Sequence, residues 1–515
     1  MITCAAGILW GEPVEKRKDA EAFEALKAVT PETPLDKIVV SRLGNLRLTA
    51  APLCSDGVFL RRVYLDVIGT LPTVAEARDF LDDTQPGKRA RLIESLLARP
   101  EYADYQAMRW GDLLRVKAEF PINLWPNAAQ VYHRWILQAM RENRPADAMM
   151  RELLGANGSN FRSGPANFYR AVQARDPDGL ARAVALTFFG MRAERWPPGQ
   201  LAGLAGFFTS VRYKPTGEWK EEIVYLDSSA PADPARKPVF PDGTPAAIAS
   251  GEDPRAALAD WMLNPAHPWL ARALANRTWS WLLGRGIVQE PDDLRPDNPP
   301  SNPALLAYLE REFIAARYDQ KQLFRLILNS QTYQRSSLPA DTRPGAAENF
   351  AFYPVRRLEA EVIADAINQI TGGTDAYVSA IPEPFTYIPA EIRAISLPDG
   401  SITGGFLEKF GRSPRDTGLA SERDNATTAA QRLHLLNSTQ VLRKLEQGPA
   451  LRALLKTDTL ASAPQIERIY LAVLSRRPTV AERSFALGFT ANGGRTAVLD
   501  LVWALVNSTE FIHRH

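Results

Sequence analysis

The chain writes one phrase more than once, and that phrase constrains what its neighbourhood can become. RVYLDVIGTLPTVAEA starts at Arg62, and RIYLAVLSRRPTVAER starts at Arg468. In both, apolar residues recur at helical spacing until a proline, Pro72 or Pro478, ends the helix. Thr73 and Thr479 follow, with Glu76 and Glu482 three residues later. At that spacing a hydroxyl and a carboxylate satisfy each other's unpaired amides at a helix start. The phrase encodes helix, sharp turn, capped helix.

The copies also end alike. LIESLLARPEY (92 to 102) and LVWALVNSTEF (501 to 511) align without a gap, and LFRLILNSQTY (323 to 333) provides a third ending. Upstream of that third ending, RTWSWLLGRG from Arg277 aligns with the two opening phrases. Three degenerate repeats emerge, at about 62 to 102, 277 to 333 and 468 to 511. Each has an aromatic two residues after its Arg: Tyr64, Trp279 and Tyr470. The spacing reads as a packing seam, the aromatic anchoring it and the Arg stem covering its flank. The long inserts between copies argue against a regular solenoid, and the first and last copies are expected to pack together.

Helical patterning extends over 19 to 29, 57 to 69, 74 to 82, 88 to 98, 127 to 143 and 176 to 189. It resumes at 254 to 264, 268 to 284, 303 to 315, 319 to 329 and 356 to 371, and again from 427 onward. Between them, 211 to 252 is rich in Pro, Gly, Asp and Ser, with EEIVYLD and KPVF as short strand candidates. The expected fold is mainly α and multi-helical. It comprises a helical body over 12 to 210, a β- and loop-rich connection over 211 to 252, and a second helical body over 253 to 515 with a loop-rich insert at 373 to 425. At 515 residues, more than one core is expected.

Charge and cysteine usage exclude several functions. Sixty-one Lys and Arg are interleaved with fifty-nine Asp and Glu, so no footprint for nucleic acid or an anionic membrane stands out. Two cysteines, Cys4 and Cys54, can build neither a disulfide framework nor a sulfur-rich zinc site, and no Cys-x-x-Cys-His for covalent haem is present. The opening MITCAAGILW is too short to cross a bilayer. Over 1 to 11 its apolar run and the small residues Ala5, Ala6 and Gly7 read as the tail of a truncated signal peptide, which implies a secreted or periplasmic protein.

Two polar stretches are the candidate sites. In GRGIVQEPDDLRPDNPPSN (284 to 302), Glu290, Asp292, Asp293 and Asp297 offer hard oxygen ligands for calcium or magnesium, with Asp292 and Asp293 the metal candidates. Arg285 and Arg295 could hold an anion. The other reading is a stiff surface loop ended by Ser301 or Asn302 as helix cap, with Pro303 at the first helical position. In KFGRSPRDTGLASERDN (409 to 425), Arg412, Arg415, Asp416, Glu422, Arg423 and Asp424 surround Gly411 and Gly418, suited either to an anionic sugar or to internal ion pairs. His133 and His434 lie in helical stretches and read as packed imidazoles, while His513 and His515 read as a mobile end. Trp219 and Trp196 are candidates for a surface that stacks on sugar rings.

FLRRVYLDVIGTLPT with LLARPEYADYQAMRWGDLLR resembles domain-of-unknown-function family 1549. The stretch from ANRTWSWLLGRG through NSQTYQRSS closely resembles family 1553, extended by VRRLEAEVIADAI and FGRSPRDTGLASERDN. These are the paired domains of planctomycete and verrucomicrobial cytochrome-like proteins. The resemblance implies secretion, c-type haem in many members and a sulfatase-like or cytochrome partner. This chain departs from it. FFGMR runs straight into AERWPPG where many members carry the haem motif, and Asn302 stands where the family often has His. Ala420 and Ser421 stand where relatives carry cysteines. The combined reading is a haem-free binding or scaffold component of extracytoplasmic polysaccharide breakdown, with no cofactor. The alternatives are a hydrolase or lyase on an anionic glycan using Asp292, Asp293 or Asp297, and a docking protein for a cytochrome.

Overall fold

The computed structural model describes residues 22–25, 32–229, 233, 236–249, 251–264, 266–455, 462–491 and 493–515. The signal-peptide reading of 1 to 11 falls outside them. The fold is mainly α, with short strands.

Each repeat is a three-helix unit, one helix longer than the phrase encodes. The first comprises Asp56–Val67, Val74–Asp82 and Lys88–Ala98. The second comprises Trp269–Leu283, Pro303–Ala315 and Gln320–Leu328, and the third Ala463–Leu474, Val480–Thr490 and Gly494–Val506. Both expected capping boxes form, Thr73 with Glu76 and Thr479 with Glu482. In the second copy Asn302 does the capping instead, its side chain accepting from Leu305 N at 3.1 Å. Tyr64, Trp279 and Tyr470 are all buried, as a seam requires.

The arginines do more than cover a flank. The Arg62 guanidinium is itself buried and donates to Tyr333 O (2.6 Å) and His515 O (2.9 Å). Arg61 beside it donates to Val473 O (2.9 Å) and Phe511 O (2.7 Å). One helix of the first copy thus satisfies carbonyls at the ends of the second and third, and the three copies pack together. Buried carbonyls left by helix ends need such donors, and a guanidinium brings several in one plane.

The apolar core does not divide at 211 to 252. One cluster of buried side chains runs from Leu35 to Tyr353, with Leu471 reaching in from the third repeat, and includes Val211 and Val224. The expected strand EEIVYLD forms as Glu222–Leu226, antiparallel to Val211–Pro215, and its far edge pairs with Gly158–Ser159. The connection is therefore an annex of the first body. The second cluster gathers residues from Leu358 to Ile512, with Leu65, Leu71, Tyr105 and Met108 reaching in from the first.

Two further expectations are corrected. Of the helix expected over 19 to 29 only 22 to 25 fall within the described residues, and there Glu24 pairs with Cys54 in an isolated antiparallel bridge. The end of the chain is ordered: His513–Arg514 pairs antiparallel with Arg356–Arg357, which takes these two out of the helix expected from 356. Arg514 is fully buried, 2.9 Å from Asp66 and 2.6 Å from Glu359. These are ion pairs by distance, without hydrogen-bond alignment. Arg514 also donates to the Tyr105 hydroxyl at 2.7 Å. Asp66 accepts in turn from Tyr333 (2.8 Å), Tyr353 (3.0 Å) and Arg356 (2.8 Å). This charge cluster lies where the two cores meet.

Candidate functional site

The 284 to 302 loop leaves the helix Trp269–Leu283 through Gly284 and ends at the Asn302 cap. It is not a surface loop throughout, because residues 286 to 288 and 291 to 294 are buried. Asp292 is buried and uses both oxygens within the chain. One accepts from Arg277 Nη2 at 3.0 Å, the other from Ala420 N at 2.6 Å. Asp293 is clasped by Arg195 (2.9 Å) and Arg295 (2.7 Å). Arg295 also reaches Asp297 at 2.9 Å on the exposed side. Glu290 is exposed and meets its neighbour Gln289, whereas Arg285 is half-buried with its Nε enclosed and unbonded.

The 409 to 425 loop depends on two glycines with positive φ. Gly411 has φ +72, and a β-carbon there would lie 2.0 Å from Asp424 O. Gly418, at φ +81, passes 2.8 Å from Leu113 O on the same measure. Around them the polar side chains turn inward. Glu422 accepts from the amides of Asp416 (3.1 Å), Thr417 (2.7 Å) and Gly418 (3.2 Å), while Asp416 holds Lys117 at 2.5 Å. Arg412 is buried against the carbonyls of Asp399, Gly400 and Ile402 and stands 3.3 Å from Glu361. Arg415 pairs with Asp112 at 2.9 Å. Arg423 bridges Asp112 (2.7 Å) and Glu361 (2.6 Å).

The structure brings the two loops together at the Asp292 to Ala420 contact, and it spends their charge on the junction between the cores. Asp112 belongs to the helix Pro100–Leu113 of the first body, Glu361 to the helix Ala360–Thr371 of the second. Burial works to raise the Asp112 carboxyl, but the charges of Arg423 and Arg415 outweigh it and hold it below the usual carboxylate range. Calcium at Asp292 or Asp293 would have to displace guanidinium groups. Among the described residues, no group of three or more His, Cys, Asp or Glu side chains is placed to hold a metal ion. His133 is buried with an unbonded Nε2, and burial, with Arg415 and Arg141 adding to it, depresses the imidazole to about 3.

Two cavities flank the segment after helix Ala360–Thr371. One, of about 340 Å³, lies between the bodies and is lined by Thr70, Glu76, Arg99, Asp365 and Arg393 among others. Asp365 is buried at its wall, accepting from Ala394 N (2.7 Å) and Ile395 N (3.2 Å). Burial pushes its carboxyl up to about 6 despite Arg393. The other cavity, about 250 Å³, lies between Tyr377, Phe406 and His434.

A separate feature was only partly legible in the sequence. Trp219 is 60 % exposed, and its ring centroid lies 4.7 Å from that of Trp125 and 5.8 Å from that of Phe385. Trp125 and Phe385 are themselves 5.3 Å apart. Trp196, the other surface candidate, is half-buried and stacks on Phe189 at 6.4 Å.

Fold and site together define a mainly helical protein of two interlocked cores built around three helical repeats, with its polar loops at the junction. Residues 34–192 match the family described as protein of unknown function (DUF1549), and residues 254–490 match the one described as protein of unknown function (DUF1553). The chain carries these two domains as a pair. The second match stops short of the tail that supplies Arg514. No curated protein and no solved structure matches the chain. Among the described residues, no helix is long and apolar enough to cross a membrane.

Proposed function

We propose that the chain is a haem-free binding or scaffold component that works outside the cytoplasm beside enzymes of polysaccharide breakdown. The observation that carries this reading is the use made of the polar loops. Arg415 and Arg423 hold Asp112, Arg423 and Arg412 hold Glu361, and Asp292 holds both Arg277 and Ala420. Groups so saturated build a rigid body and are poorly placed to exchange protons with a substrate. The extracytoplasmic setting and the sulfatase-like or cytochrome partner come from the family resemblance alone. The absence of any Cys-x-x-Cys-His in the sequence supports the haem-free part. The test is incubation of the purified chain with a panel of neutral and anionic polysaccharides, followed by assay for new reducing ends and unsaturated products. No product is expected, and turnover that disappears in a carboxylate variant overturns the reading.

One observation favours a second reading, an enzyme acting on a polysaccharide. Asp365 faces the larger cavity with a carboxyl raised to about 6, as a general acid requires. In that case Asp365→Asn abolishes any turnover found, while Asp292→Asn leaves it intact.

A further inference from the structure

Three loops remote in sequence place aromatic rings side by side at the surface, one from each family-matched region and one from the segment between. Loop 117 to 125 is closed on itself by Asn123 N to Glu119 O (2.8 Å) and Trp125 N to Ala118 O (3.1 Å). It exposes Phe120 to 79 % and presents Trp125. The turn between the two hairpin strands carries Trp219 and Lys220. The third loop carries Phe385, 43 % exposed, and is tied to the first where the Glu119 carboxylate accepts from Ala380 N at 3.1 Å.

The geometry is pre-organised. Trp125 (φ +73) and Lys220 (φ +65) both hold the left-handed backbone region that non-glycine residues seldom adopt. Trp125 meets both neighbours edge to face, which fixes its ring, while Trp219 and Phe385 keep much of their surface open to solvent. Exposed rings gathered from three fixed loops call for an occupant. The rim narrows which one. Glu218 precedes Trp219, Lys220 follows it, and Glu383 lies two residues before Phe385, all exposed. Apolar rings edged by charged groups suit a ligand with apolar faces and a hydroxylated perimeter, which describes a pyranose. They suit an aliphatic protein surface poorly, because docking it would bury those charges.

Charge selects further. The Lys220 ammonium already lies over the Trp125 and Trp219 rings, at 5.7 and 5.6 Å from their centroids. The exposed carboxylates of Glu218 and Glu383 in the same loops oppose a polyanion. We infer that the Trp125, Trp219 and Phe385 cluster is a binding platform for pyranose rings of a neutral polysaccharide. This inference rests on the binding reading above and names its ligand.

The test is affinity electrophoresis of the whole chain through gels containing neutral β-glucan, β-mannan or xylan, or anionic alginate or carrageenan, at low and high salt. Wild type, Trp219→Ala and Phe385→Ala are compared after thermal melts establish that the variants fold. Retardation by at least one neutral polysaccharide is expected, insensitive to salt and weakened about tenfold or more by Trp219→Ala. Retention by anionic gels alone, abolished by salt, overturns the inference and leaves the binding reading standing. Equal retention of Trp219→Ala, or no retention in any gel, also overturns the inference. Release of sugar products during the assay would sink the binding reading instead, with the response of Trp219→Ala still deciding the platform.

Discussion

Replacing Arg514 with methionine should show how far the junction between the cores depends on one residue. Arg514 is fully buried between Asp66 and Glu359 and donates to Leu65 O at 3.0 Å as well as to Tyr105. Without it, Asp66 keeps Arg356 and two tyrosines, but Glu359 loses its nearest cation. Stranding a buried carboxylate in this way costs about 3–5 kcal/mol. The lost bond to Leu65 adds about 1 kcal/mol. The double variant Glu359→Gln/Arg514→Met removes both charges and should recover most of that loss.

The pH dependence supplies a sign check. In the wild type, burial works to raise Glu359, but Arg514, Arg109, Arg423 and Arg356 outweigh it and hold the carboxyl down to about 2. A depressed carboxylate contributes stability above its unfolded value, lost as the pH falls toward 2. In Arg514→Met the largest of the charges opposing burial is gone while Arg109, Arg423 and Arg356 remain, so the carboxyl rises and the deficit should shrink as acid protonates Glu359. Urea denaturation at pH 7 and pH 4, followed by circular dichroism, measures both effects. A loss under about 1 kcal/mol, or an equal loss at both pH values, refutes the reasoning.

Three further outcomes are expected. Burial depresses His133 to about 3 and keeps it neutral above that pH, so the wild type should lose stability as the pH falls from about 6.5 toward 3, and His133→Leu should flatten that slope in thermal melts. Asp292→Ala leaves buried Arg277 without its counter-charge, though still bonded to the carbonyls of Leu186 and Thr187, and frees the Ala420 amide; it should cost about 3–5 kcal/mol, with no calcium-dependent change in melting temperature in either protein. A calcium shift that the variant lacks would instead make the loop a cation site. Thr73→Ala and Thr479→Ala each remove a capping box and should cost about 1 kcal/mol, additive in the double variant because the boxes share no hydrogen-bond partner.

Much of the helical framework was legible because its causes are local. A threonine three residues before a glutamate, a proline at a turn and apolar residues at helical spacing act within a few residues of one another, so Thr73, Thr479 and Asn302 cap where their neighbours require it. The repeats were legible for the same reason, down to the burial of Tyr64, Trp279 and Tyr470. A residue's surroundings are not local in this sense. The loop at 284 to 302 looked like surface because it is rich in Pro and Asp, yet Asp292 is buried by partners at positions 277 and 420. His513 and His515 looked mobile, but a strand pairing with Arg356 and Arg357 holds the end of the chain.

By itself, the sequence determined a mainly helical protein with a thrice-repeated unit, no cysteine pair for covalent haem and two charged loops. The tertiary structure decided how those charges are used. Arg423 finds Asp112 across 311 residues, and Arg514 finds Asp66 from the far end of the chain. It also decided that Trp125, Trp219 and Phe385 share one surface. Helix and cap are set by neighbours along the chain, whereas an ion pair or a ring cluster is set by which segments the cores bring within a few ångströms.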